Sequence, residues 1–283
     1  MVKGLYTAYT GMVNEQRRMD IATNNLANAN SAGFKEQRSV SQSFDDLLGI
    51  KIKDLSDAPY TKRNLGIITA GVKLGGTYTN FEQGALKETG NTFDLAINNS
   101  IPTTDSNSVR DNMLAGGNGF FATEYGTDEE QNILIKYTRD GNFTVTPDGY
   151  LVTSEGNYVL DVNNNRIQIN PDLDTAIQPN GNILQDGNQV AQIQVASFDD
   201  ITLLERYQDN AFIIGDSGAT VIGTTAEAAG AQVHQGYLEG SNISVVDEMV
   251  NLISIQRAYE LNSKVIQTED DTLDKAVNQL GQM

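Results

Sequence analysis

Few residues of this chain have the types and spacing that chemistry requires. Gly215-Asp-Ser-Gly218 has the form of a loop presenting a serine nucleophile. Such a serine needs a histidine base within hydrogen-bond reach and a third group to orient it. The chain has one histidine, His234, which follows Ser217 in the chain, so a polar turn after the strand-like Phe212-Ile-Ile214 is the expected reading. Asp161-Val-Asn163-Asn-Asn165 opens like a calcium loop, with Asp172 at its twelfth position. Calcium loops need Gly at the sixth position and a bidentate Glu at the last. Here the sixth residue is Arg166 and no helical pattern flanks the segment, so a hairpin turn is expected. No Gly-rich phosphate loop follows a strand, and no Cys/His cluster offers metal ligands. The 37 acidic residues read as a solvated face, because nothing sets two of them apart in a pocket. The expectation is no catalytic residue, no cofactor and no metal.

The chemistry is therefore one of surfaces. A net charge of −18 over 283 residues argues against nucleic acid, which needs cations to displace counterions. It argues equally against anionic membrane surfaces. No run of apolar residues is long enough to span a bilayer, so no membrane insertion is expected. The absence of cysteine suits passage through an oxidising compartment. The N-terminus does not read as a cleavable signal, because Lys3 is followed by mixed polar residues and Arg17-Arg18 arrives early. Any exit from the cytoplasm is expected to use another route.

The surfaces in question belong to two helices at the chain ends. Val245, Leu252, Tyr259, Ile266, Leu273 and Leu280 recur every seven residues, with Met249 and Val277 four after members of the series and Ile255 and Ala276 three after. A seven-residue apolar repeat keeps one stripe facing a partner helix. Ser244 is placed to cap this helix, and Asp247 and Glu248 put negative charge in its first turn. Leu5, Met12, Met19 and Leu26 form a matching series over residues 3–30, accompanied by Ala8, Ala22 and Ala29. Residues 1–40 carry five cations against three carboxylates, net +2, and residues 241–283 carry three against seven, net −4. The expected unit is a coiled-coil-like pair of terminal helices. Asn24, Asn25, Asn28 and Asn30 are poor helix formers, and their amides are expected at a packed interface between chains, or else at a fraying helix end.

Between the helices the period changes. Residues 41–70 mix Lys, Asp, Pro59 and Gly66 and read as a linker. From Gly71 to about residue 235, short alternating runs lie between Asp140-Gly141, Asp148-Gly149, Glu155-Gly156, Asn180-Gly181 and Asp186-Gly187. Such pairs supply the positive φ that tight hairpins need. Residues 199–235 read as a flexible return. The fold class expected is α+β: helical ends at 1–40 and 241–283, a linker at 41–70, and an inserted antiparallel β-domain at 71–235.

Several of these stretches resemble one family. Asn24-Asn-Leu-Ala-Asn28 with Gly33-Phe-Lys35 is similar to the N-terminal signature of the flagellar basal-body rod and hook proteins. Tyr78-Thr-Asn-Phe-Glu-Gln-Gly-Ala-Leu86, Asp94-Leu-Ala-Ile97, Tyr137-Thr-Arg-Asp-Gly-Asn-Phe143 and Asp148-Gly-Tyr-Leu-Val152 resemble their β-domain. Gln235-Gly-Tyr-Leu-Glu-Gly-Ser-Asn242, Met249-Val-Asn-Leu-Ile253 and Gln256-Arg-Ala-Tyr259 look like the C-terminal signature. Residues 98–118 depart from the pattern, delaying Gly119-Phe-Phe121. The resemblance implies a structural, non-enzymatic rod subunit of the bacterial flagellum, in the basal body outside the cytoplasm. It implies export unfolded through the flagellar type III apparatus and helical polymerisation with itself and with other rod and hook proteins. Subunit packing would then use Leu5, Met12, Met19, Asn24, Asn25, Leu26, Asn28, Val245, Met249, Leu252, Tyr259, Ile266, Leu273 and Leu280. A rival reading is a secreted acidic binding module, which would need Tyr125, Tyr137, Tyr150 and Tyr158 in one exposed cluster.

Overall fold

The computed structural model describes residues 2–44, 47–51, 63–68, 71–98, 119–127, 133–208, 210–215 and 218–280. Helix α1 is Val2–Ala27 and helix α2 is Val245–Leu280, with antiparallel strands between them, an α+β fold. α2 starts directly after Ser244 and carries Asp247 and Glu248 in its first turn. It runs unbroken for 36 residues because no Gly or Pro interrupts it, a length of about 54 Å. α1 contains Asn24 and Asn25 and ends before Asn28, and Gly33 beyond it takes a left-handed φ of +66°.

The chain divides into two compact units. One holds residues 1–26, 37–78 and 245–283, the other residues 27–36 and 79–244. In the first unit, strand Gln37–Ser43 pairs with Val72–Thr79, and Leu47–Lys51 pairs antiparallel with Arg63–Ile68, Leu47 opposite Ile68. Within residues 41–70, expected as a linker, residues 41–43, 47–51 and 63–68 lie in paired strands. Their Lys, Asp and Gly content masks the alternation, and the pairing joins segments too far apart for local patterning to reveal.

The second unit is built on a nine-stranded sheet. Its spine is strand Gly119–Thr127, which pairs with Ile133–Thr138 along one side. Along the other side it pairs first with Val195–Phe198 and then with Tyr158–Val159. Successive side chains on a strand point to opposite faces. Phe120 and Ala122 enter one core with Tyr137, Leu160, Phe198 and Phe212. Phe121 enters the other with Leu95, Phe143, Leu151 and Ile193. Burying each such aromatic ring contributes about 1.5–3 kcal/mol.

Residues 199–235 are part of this unit rather than a flexible return. Leu204–Tyr207 pairs with Ala211–Ile214 at the sheet edge, and Gln232–Gln235 pairs with Leu95–Asn98. The strand-like run Arg166–Ile169 makes only isolated bridges, Arg166 to Leu160 and Gln168 to Tyr150. Asp161–Asn165 is a turn: the Asp161 carboxylate accepts from Val162 N–H at 2.6 Å and from Asn163 Nδ2 at 3.3 Å, and Asn164 takes φ +60°. Ser217 and residues 99–118 lie outside the described residues.

Candidate functional site

α1 and α2 pack antiparallel in a fixed register. Asn25 Nδ2 donates to Glu248 Oε1 at 3.1 Å. A Cβ on Gly11 would lie 2.9 Å from Asn262 Nδ2, and one on Gly4 would lie 2.7 Å from Glu269 Oε1. Each of these pairs of residue numbers adds to 273, and the pairs are separated by multiples of seven. Ala8, Ala22 and Ile255 complete the buried seam, and Glu15 beside it binds Arg18 at 3.0 Å. Glycine and alanine on α1 thus make room for the longer side chains of α2. The seam is unusually polar for a seven-residue repeat.

Away from the seam, α2 exposes a series of apolar side chains and α1 exposes two tyrosines. On α2, Val246 is 71% exposed, Val250 62%, Ile253 51% and Leu261 64%. On α1, Tyr6 is 61% and Tyr9 56% exposed. Val246 and Val250 each lie two residues, about 200° of helix rotation, from Glu248, which faces α1. Contiguous exposed apolar surface of this kind marks an interaction face.

The residues expected to pack subunits differ in exposure. Leu5, Met12, Met19 and Leu26 are half-buried along α1, as are Leu252, Ile266 and Leu273 along α2. Val245, Met249 and Tyr259 are exposed. The side chain of Leu280 lies outside the described residues. The fully buried positions Ala8, Ala22 and Ile255 sit three residues after members of the two apolar series. Asn25, expected between chains, is used within this one. Its Nδ2 also donates to the Gln37 carbonyl at 2.8 Å, and its Oδ1 accepts the Gln37 N–H at 3.0 Å. It ties the end of α1 to the start of the hairpin and to the first turn of α2. Asn28 Oδ1 accepts from Ser31 Oγ at 3.2 Å, and Asn24 is exposed.

The second unit holds a junction that sequence reasoning missed. Glu239 is fully buried, and its Oε1 accepts from Lys35 Nζ at 2.5 Å and from Gly84 N–H at 3.0 Å. Its Oε2 accepts from Arg139 Nη1 at 3.1 Å, and the side chains of Lys35 and Arg139 are buried as well. Lys35 Nζ also donates to the Glu82 carbonyl at 2.7 Å. Arg139 lies over the Phe120 ring at 5.0 Å and Arg206 over Phe34 at 4.3 Å. Burial and the neighbouring Arg139 pull Lys35 down from 10.5 to about 8, with Glu239 acting in the opposite sense. Burial pushes the Glu239 carboxyl up, but Arg139 and Lys35 more than offset this and leave it below its ordinary range.

Glycines let the backbones close around these charges. A Cβ on Gly33 would collide with the Arg139–Asp140 backbone, and one on Gly84 with the Gly240 carbonyl. Gly33 N–H donates to the Glu239 carbonyl at 2.7 Å. Gly33-Phe-Lys35, Glu82-Gln-Gly84, Arg139-Asp-Gly141 and Glu239-Gly240, each quoted above for its motif, therefore meet at one point. Their common signal was a charged residue within two positions of a glycine, but nothing in the spacing linked one to another.

The four tyrosines of the rival reading do not make one exposed cluster. Tyr137 is in the core, Tyr125 pairs with Tyr207 at 5.0 Å, and Tyr150 meets Tyr158 edge-on. Arg166 covers the Tyr158 ring at 4.2 Å while binding Glu124 through two bonds of 2.7 Å. His234 pairs with Asn98 within its strand pair.

Helical ends around an antiparallel β-unit define an α+β architecture, and comparison with known proteins finds its relatives. Residues 5–35 match the family described as flagella basal body rod protein. Residues 115–219 match the flagellar hook protein FlgE/F/G D1 domain, and residues 234–280 match the flagellar basal body rod FlgEFG protein C-terminal region. The chain is 31% identical to the flagellar basal-body rod protein FlgF of Caulobacter vibrioides over 100% of both chains. It is 32% identical to FlgG of the same organism over 99% of both, and 29% identical to FlgG of Bacillus subtilis over 98% of this chain and 99% of that one. The chain belongs to the flagellar basal-body rod protein family. It is a structural subunit of the flagellar rod, in the basal body.

Proposed function

We propose that this chain polymerises through the outward faces of α1 and α2 into the distal part of the rod, the shaft that carries torque from motor to hook. The observation that carries this reading is the apolar face of α2 from Val246 to Leu261, exposed on a helix about 54 Å long. A stripe of that length is stable in water only when another surface covers it. Similarity to FlgG in several organisms supports the distal position. Other rod and hook proteins would cap the two ends of the segment. Among the described residues no helix is long and apolar enough to cross a membrane. The route out is the flagellar type III export apparatus, which takes the chain unfolded, and the subunit performs no catalysis.

Deletion of the gene, followed by electron cryotomography of the basal body, tests the reading. A truncated rod without a hook is expected, and a stub that keeps its proximal segment places the chain distally. Intact motile flagella in a strain with no second copy of the gene would overturn it.

A further inference from the structure

We infer that Tyr6 and Tyr9 on α1 of one copy dock into a groove on α2 of a second copy, lined by Leu261, Val265, Thr268 and Thr272 with Lys264 and Glu269 beside them. This rests on the polymer reading above and names the two surfaces that meet. The register of the helix pair makes the match. Residue numbers that face each other add to 273, so Tyr6 is level with Gln267 and Tyr9 with Lys264. The tyrosines are therefore at the height of the groove, but on the far side of α1. A second copy displaced sideways, with no shift along the helix axes, brings its groove against them.

The chemistry of the groove suits phenols. Leu261 and Val265 offer apolar walls. Thr268 Oγ1 donates to the Lys264 carbonyl at 2.8 Å and Thr272 Oγ1 to the Glu269 carbonyl at 2.7 Å. Their protons are engaged, so both oxygens remain available to accept from a tyrosine O–H. Tyrosine serves such sites well, having a large apolar body, a polar tip and few rotamers to immobilise.

Charge selects this pairing over a like-with-like one. α1 carries three cations and two carboxylates, net +1, and α2 carries three and seven, net −4. Two α2 faces would repel, and a two-fold contact between them would close a dimer. A contact between different surfaces repeats head to tail from copy to copy, and builds a ring or a helix according to the rotation it imposes.

The chain has no cysteine, so introduced pairs report without background. Basal bodies would be isolated from cells carrying Tyr9→Cys with Val265→Cys, or either change alone, then oxidised and run without reductant. A ladder of covalent multimers is expected from the double variant only. Dimers from Val265→Cys alone would show α2 against α2 and overturn the inference. So would rods that contain the double variant yet give no ladder, which would leave the rod reading standing. If the cysteine variants build no rods, Tyr9→Phe and Tyr9→Asp decide: Phe is expected to keep rods and Asp to lose them, and rods with Asp at wild-type number overturn the contact. Wild-type basal bodies lacking this chain would instead sink the rod reading itself.

Discussion

Glu239 is buried and bonds Lys35, Arg139 and the Gly84 N–H at once. Its carboxylate lies between two buried cations, Lys35 and Arg139, so replacing it removes an ion pair from each. Glu239→Gln is expected to destabilise the chain by about 3–5 kcal/mol, because an unpaired buried charge costs more than the pair contributed. Lys35→Met should cost less, since Arg139 and the Gly84 N–H still hold the carboxylate. Denaturant unfolding of the two variants checks the order. Asp140, next along the chain from Arg139, gives a pH test. Burial raises its carboxyl from 3.8 to about 6, the Asn142 N–H opposes this, and Glu155 and Asp94 add to it. A raised acid binds more protons folded than unfolded between those two values, so its contribution to stability falls as pH rises from about 4 to 6. Asp140→Asn should remove that slope and gain roughly 1–3 kcal/mol over wild type at pH 7 relative to pH 4. Unfolding free energies of both proteins across that range would show parallel curves if Asp140 were not the cause.

At the scale of elements, the two faces of α2 separate stability from assembly. Ile255 is 1% exposed in the seam with α1. Ile255→Ala should cost about 2–4 kcal/mol by leaving a cavity there. Val250 lies on the outer face and is 62% exposed. Val250→Glu should leave the melting behaviour of the isolated chain within about 0.5 kcal/mol of wild type, yet abolish rod formation. Calorimetry and counting of rods in basal bodies together read both effects. A variant that builds normal rods would remove the outer face from the interface. Asn25 belongs to the same scale, because it bonds three elements through one amide. Asn25→Ala strands the Gln37 backbone groups and should cost about 1–3 kcal/mol.

At the scale of the whole molecule, the two compact units predict how the chain tolerates truncation. Residues 27–36 belong with the β-unit, because Gly33 and Lys35 bind Glu239 there. Removing residues 1–26 and 245–283 should therefore leave a folded β-unit with its cores intact, while cutting into residues 27–36 should not. The shortened chain is expected to stay monomeric and to build no rod. Circular dichroism with analytical ultracentrifugation distinguishes these outcomes, and a shortened chain that still formed filaments would overturn the assignment of assembly to the helices.

The sequence by itself determined the two helices, the α+β class and the hairpin meander. These are set by contacts close in the chain: the bounds of α2 follow from its seven-residue repeat, Ser244 and the two acids after it, and hairpins follow from Asp148-Gly149, Glu155-Gly156, Asn180-Gly181 and Asp186-Gly187, whereas Asp140-Gly141 takes no positive φ and joins two strands that do not pair with each other. Family membership was legible for the same reason, since its motifs are short and local. Tertiary structure decided everything that joins distant positions. A repeat of seven marks two helix faces, and only packing shows that Ile255 turns inward while Val246, Val250 and Ile253 remain outside. The strands within residues 41–70 lack alternation strong enough to declare themselves before they pair. The meeting of Lys35, Arg139 and Glu239 spans 204 positions. No local propensity encodes such a contact, because the energy that holds those charges together exists only after the two cores have excluded water around them.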